Sequence, residues 1–156
     1  MIILSKLADY GVIVATHLAA FSDRQITAGA VAAATRLPQA TVSKLLKCLA
    51  HAGLVTATRG VAGGYRLARA AKAISIAEIV AAIDGDIGLT QCSVHVDECA
   101  RTTYCPTRPH WAAINRAVGE ALAAVSLDAM VTPAAFVPRT PIFVTSPKTD
   151  EPRYSA

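Results

Sequence analysis

Apolar positions at Leu4, Leu7, Gly11, Val14 and Leu18 recur every three to four residues and predict a first helix over about 3–20. The turn SDRQ follows, and Thr27 is placed to cap a short second helix running through Ala34, with Pro38 marking the next break. A third helix is predicted from Gln39 to about His51, with Gly53 as its C′ residue. Two short strands, Leu54–Thr58 and Tyr65–Leu67, flank the turn RGVAGG, and a further helix runs from about Ser75 to Ile83, stopping at Asp84-Gly85. No sustained period is visible from Asp86 to His110. Beyond it, Trp111, Ile114, Val118, Leu122, Val125 and Ala129 mark one face of a helix of roughly twenty residues, about 30 Å long. From Thr132 onward five prolines fall in 25 residues, the composition of a flexible tail, and no internal repeat is visible.

Helix, turn, helix and then a two-strand hairpin is the order of a winged helix-turn-helix, so the fold class is mainly α with a small β-hairpin wing. That module is expected over 1–85, followed by a cysteine-bearing segment over 86–107, the long helix over 108–131 and the tail over 132–156. At 100° per residue, the third helix places Val42, Leu45, Leu46 and Leu49 on one side. Ala40, Lys44, Lys47 and His51 fall on the other, flanked by Gln39 and Ser43. A recognition helix needs this division: one face anchored in a core, the other offering donors to phosphates and base edges. Gln39, Ala40, Thr41, Ser43, Lys44 and Lys47 are therefore the candidate DNA-reading residues of this helix. At the hairpin tip, Arg59, Gly60 and Gly63 join them, since a glycine turn carrying one arginine suits a narrow minor groove.

Composition and charge sharpen the picture. The 156 residues are 53% hydrophobic but only 5% aromatic, and much of the apolar content is alanine. Such a chain is no disordered polymer. It reads as closely approaching helices whose core is completed by a second copy. The formal charge of +4 conceals an asymmetry, with eight Lys/Arg against two Asp/Glu in residues 1–70 and four against seven in 71–131. A basic half beside an acidic one is what a polyanion-binding module requires. No apolar run reaches the roughly 18 residues of a membrane-spanning helix. The apolar start MIILSKLADYGVIV carries Lys6 and Asp9 within it, unlike a secretory leader, so a cytoplasmic location and no membrane partner are expected.

In a reducing compartment, neighbouring cysteines serve metal or redox chemistry rather than structural disulfides. Cys92, Cys99 and Cys105 are spaced by six and five residues within one irregular segment. Structural zinc sites favour tighter CxxC pairs, whereas these wider gaps suit the larger perimeter of an iron–sulfur cluster and leave one position to be filled from elsewhere. Buried or redox-idle thiols are the plain alternative. Cys48, near the edge of the third helix's polar face, reads as a small packing residue, with a reactive thiol as the other option. Enzymatic chemistry finds no support: there is no glycine-rich phosphate loop after a strand and no convincing nucleophile–base pair.

The sequence resembles the Rrf-two family of bacterial transcription regulators over roughly residues 1–131. The resemblance rests on LSKLADYG, on VSKLLKCLAHAGLVTATRG with AGGYRL, on ISIAEIVAAIDG, and on the three-cysteine segment ending in CPTRPHW. LSKLADYG together with CPTRPHW looks most like the subgroup that governs iron–sulfur cluster assembly. The resemblance implies a repressor bound to double-stranded operator DNA, a homodimer joined through the helix at about 108–130, and a 2Fe–2S or 4Fe–4S cluster on Cys92, Cys99 and Cys105. A relative's ligand histidine three residues after the last cysteine corresponds here to Arg108, which leaves His110, two residues further on, as one candidate fourth ligand. Another is Asp9 of the partner subunit, which matches the aspartate that nitric-oxide sensors of the family supply from the first helix, and water, a thiol or another group is the remaining option. Against the cluster-dependent regulator stands a cluster-free winged-helix regulator that uses these cysteines as thiol sensors or zinc ligands.

Overall fold

The computed structural model describes residues 4–60, 62–90, 99, 101 and 103–131. Cys92 and the 132–156 tail lie outside the described residues. Helix α1 spans Lys6–Ala20 and is capped by Ser5, whose Oγ accepts from the Ala8 N–H at 3.0 Å and donates to Asp84 Oδ1 at 2.7 Å. This cap starts the helix later than the apolar spacing predicts. The buried face is Ala8, Gly11, Val12, Val14, Ala15 and Leu18. Leu4 and Leu7, counted on that face from their spacing, are 43% and 37% exposed.

Helix α2 (Ala28–Thr35) is capped by Thr27, whose Oγ1 accepts from the Ala30 N–H. Arg36, in the left-handed region at φ 57°, turns the chain into α3 (Gln39–His51). Helix α3 closes in a Schellman motif. Leu54 N–H reaches the Leu49 carbonyl and Gly53 N–H the Ala50 carbonyl, with Gly53 at φ 71°. The hairpin β1 (Val55–Thr58) and β2 (Gly64–Leu67) pairs antiparallel with Val55 opposite Leu67 and Thr58 opposite Gly64. A third element joins it at one point, where Ile26 and Tyr65 exchange backbone hydrogen bonds of 2.9 and 2.8 Å. Gly64 permits that approach, because a Cβ there would lie 2.8 Å from the Ile26 carbonyl oxygen.

Helix α4 (Ile76–Asp84) begins with a full capping box between Ser75 and Glu78. Arg69, just past β2, pairs with the same Glu78 and ties the wing's base to α4. Helices α1 and α4 pack closely at Gly11, where a Cβ would collide with Ile83 Cδ1. Among the described residues, the fully buried large side chains include no aromatic: Leu18, Leu45, Leu46, Leu49, Ile74, Ile79 and Leu127 fill the core.

The C-terminal helix departs from expectation. In place of one continuous helix over 108–131 there are α5 (Arg108–Ala123) and a short α6 (Leu127–Val131). Ile76 N–H binds the Val125 carbonyl at 2.9 Å, and Leu127 N–H binds the Ile74 carbonyl at 2.8 Å. This backbone clamp breaks the helix and draws Leu127 into full burial. Periodicity alone had assigned Val125 and Ala129 to the same stripe as Trp111. The 16 residues of α5 span about 24 Å at 1.5 Å each.

Candidate nucleic-acid interface and thiol site

The anchored face of α3 is as its periodicity predicts. Val42, Leu46 and Leu49 are 0% exposed and Leu45 is 1%. Gln39, Ala40, Lys44, Lys47 and His51 are exposed, while Thr41 and Ser43 are half-buried at the edges. No side chain caps the N-terminus of α3, so its first-turn N–H groups lie beside the exposed Gln39 and Ala40 without a side-chain acceptor. Such groups favour an anion. Among the described residues the ion pair is Arg69–Glu78, so Lys44, Lys47 and Arg59 keep their charge unneutralised by a neighbouring carboxylate.

The wing tip is shaped by a Gly63 N–H to Gly60 carbonyl hydrogen bond of 2.9 Å, with Gly60 at φ 116°. Arg59 and Gly60 are exposed there and Gly63 is half-buried. Gln25 Nε2 donates to Thr58 Oγ1 at 2.9 Å, so the hairpin is held to the α1–α2 connection by a side chain as well as by the Ile26 bridge. Two further exposed cations escaped the sequence reading: Arg36, in the turn of the helix-turn-helix, and Arg66, on β2 opposite Thr56.

Cys48 is half-buried and lines a shallow groove between α3 and α4 with Lys47, His51, Ala81 and Ala82, consistent with a packing role. Cys99 and Cys105 are half-buried. Cys105 lies at the entrance of α5, 3.3 Å from Thr107 Oγ1. The Thr107 hydroxyl holds the Cys105 thiol below its ordinary pKa, helped by the Thr107 and Arg108 backbone N–H groups and by the charge of Arg101. A cysteine placed this way favours the thiolate, the form that binds soft metal ions. Among the described residues no three His, Cys, Asp or Glu side chains gather into a metal site, and Cys92 is outside them. Asp9 is exposed in the first turn of α1, and His110 is exposed in the first turn of α5. Neither is brought to Cys99 and Cys105 within one chain to form such a group.

A family model described as an iron-dependent transcriptional regulator, Rrf2, matches residues 4–133. The chain belongs to the Rrf2 family. A Neisseria meningitidis serogroup A protein described as an HTH-type transcriptional regulator is 32% identical over 117 residues, 75% of this chain and 72% of that protein. The HTH-type transcriptional regulator IscR of Vibrio parahaemolyticus is 33% identical over 91 residues. That match covers 58% of this chain and 54% of IscR, so it spans about half of that relative's length. Among solved structures, CymR (YrzC), the global cysteine regulator of B. subtilis, superposes with a TM-score of 0.66 at 25% identity over 84% of this chain and 97% of CymR. The IscR of T. potens shares the fold, with a TM-score of 0.64 at 24% identity over 83% of this chain and 86% of that one. The Rrf2 chain is thus a transcriptional regulator and no enzyme, and among its described residues no helix is long and apolar enough to cross a membrane.

Proposed function

We propose that this Rrf2 protein is a homodimeric, cytoplasmic repressor of iron–sulfur cluster assembly genes, whose grip on operator DNA is set by a cluster on Cys92, Cys99 and Cys105. The observation that carries the DNA half is the division of α3: four core leucine and valine side chains on one face, unneutralised Lys44 and Lys47 on the other. Gln39, Ala40, Thr41, Ser43, Lys44 and Lys47 enter the major groove, and Arg59 with Gly60 and Gly63 meets the adjacent minor groove. Dimerisation uses α5, whose Trp111 and Ile114 are 37% and 44% exposed, large apolar side chains for a second copy to cover.

The thiol donors fit iron–sulfur ligation, since the Thr107 hydroxyl and then backbone N–H groups favour the Cys105 thiolate. When bound, a cluster supplies an iron- and redox-sensitive crosslink between the thiolates. The fourth ligand is Asp9 of the partner subunit or His110. The protein's own part is to translate the arrangement of the 86–107 segment into the spacing of two α3 helices, which must match half-sites about 34–36 Å apart. A coupling of 1–3 kcal/mol corresponds to about 5- to 150-fold in DNA affinity.

Anaerobic purification followed by visible spectroscopy and by iron and sulfide counts tests the cluster. Titration of cluster-assembly promoter DNA with loaded and metal-free protein, across salt concentrations, tests the switch. Equal affinities would sink it. A second reading, a cluster-free regulator using these thiols directly or with zinc, draws support from the likeness to CymR, a regulator concerned with cysteine. Colourless, iron-free protein whose DNA binding responds to thiol oxidants or zinc would favour that reading.

A further inference from the structure

Asn115 is a polar residue on the α5 face that also carries Trp111, Val118 and Leu122. Its Oδ1 accepts a hydrogen bond from the backbone N–H of Leu89 at 2.9 Å, and both residues are half-buried. For residues 86–89 this is, among the described residues, the hydrogen bond that reaches another element. The same stretch is not bedded on tight packing. An open pocket of about 340 Å³ is lined by it together with Leu4, Val80, Val118 and Leu122 of or beside α1, α4 and α5. Only Ile87 packs against the core. A segment beside an open pocket buries little apolar surface on that side, so a directional contact carries more of its placement.

Leu89 lies three positions before Cys92, and Cys105 lies three before the first residue of α5. The chain is therefore referred to α5 at both ends of the cysteine-bearing segment: upstream through Asn115, downstream through direct continuity with the helix. We propose that Asn115 is a positioning residue, a latch that holds the entry of the cysteine-bearing segment against α5 and so couples that segment to the helix. The coupling role rests on the reading of 86–107 as the ligand-bearing segment, whereas the latch itself does not. With the latch closed, a rearrangement among the thiols pulls on α5. With it open, only the downstream connection through Cys105 remains, and the coupling weakens.

The test uses the full-length protein. Hydrogen–deuterium exchange resolved at single amides should show Leu89 protected relative to Ile87 and Gly88 in the unaltered chain. Equal exchange at the three overturns the latch without any variant being needed. Asn115→Leu, which keeps the shape and removes the acceptor, should speed Leu89 exchange about 2- to 13-fold, the range for one net hydrogen bond. Asn115→Asp, which retains an acceptor oxygen, should restore protection, and Val118→Ala, a change in the cavity wall, should leave it unchanged. A faster Leu89 in Val118→Ala equal to that in Asn115→Leu overturns the proposal, as does no change in Asn115→Leu. The ratio of promoter-DNA affinities between anaerobically iron–sulfide-reconstituted and metal-free protein should fall toward one in Asn115→Leu and recover in Asn115→Asp. A ratio unchanged by Asn115→Leu overturns the coupling. If the unaltered protein takes up no iron, the cluster reading fails by itself, and the Leu89 exchange rates still decide the latch.

Discussion

Gly64→Ala offers a direct test of how the wing is held. A Cβ at this position would stand 2.8 Å from the Ile26 carbonyl oxygen, 2.9 Å from its carbon and 3.1 Å from its nitrogen. Ordinary contact begins near 3.4 Å, so the two backbones must part by about 0.6 Å. The Ile26–Tyr65 bonds of 2.9 and 2.8 Å would then lengthen to roughly 3.4–3.5 Å, the far edge of useful hydrogen bonding. Two such bonds at about 0.5–1.5 kcal/mol each give a loss of about 1–3 kcal/mol. For a chain of this size that is about 2–12 °C in melting temperature. Gly29→Ala is the matched control. Its Cβ would meet nothing nearer than Gln39 Nε2 at 3.9 Å, and removing a helical glycine should stabilise by up to about 0.5–1 kcal/mol. Thermal melts followed by circular dichroism, paired with promoter-DNA titrations, read both effects. The two variants should shift stability in opposite directions, and Gly64→Ala alone should bind DNA more weakly. A Gly64→Ala protein that melts with the unaltered chain and binds DNA as tightly refutes the claim that this close approach positions the wing.

Other outcomes follow from the same structure. Lys44→Ala and Lys47→Ala should weaken DNA binding for specific and unrelated sequences alike, each lowering the slope of log affinity against log salt by about 0.9 if it meets one phosphate; an unchanged slope removes that lysine from the interface. Leu127→Ala, at a fully buried side chain, should cost about 2–5 kcal/mol in urea denaturation, while a loss under 1 kcal/mol would show that α6 is not part of the core. Burial, with Arg24 nearby, holds the His17 imidazole below its ordinary pKa, so the unfolded chain binds more protons there. The sign follows from that: His17 lets stability rise with pH and reach its full value above about 6.5, losing it as pH falls below, and His17→Gln should flatten this part of the profile. Cys105→Ala should abolish the visible absorption of anaerobic protein while leaving its secondary structure intact, and a retained spectrum would exclude Cys105 as a ligand.

Local rules were enough for much of this chain. The period of α3 separates Val42, Leu45, Leu46 and Leu49 from Lys44 and Lys47 because a helix set against a core has one wet side, and burial follows that division. Thr27 and Gly53 likewise announce their helix boundaries, since caps are chosen by unpaired backbone groups within a few residues. The wing's two strands and its glycine turn belong to the same class of local information.

What the tertiary structure decided concerns contacts between segments far apart in sequence. Leu4 and Leu7 fit the apolar spacing of α1 yet stay 43% and 37% exposed, whereas Ala8 in the same turn is fully buried, a choice that neighbouring elements make and spacing does not. The helical stripe from Trp111 to Ala129 is interrupted between Ala123 and Leu127 because the backbone at Ile74 and Ile76 captures Leu127 and Val125. Nothing local marks Asn115, whose Oδ1 accepts from the Leu89 N–H across 26 positions. Periodicity reports which side of a helix prefers oil to water. Which distant partner supplies the oil, or a single hydrogen-bond acceptor, is settled only when the whole chain has closed on itself.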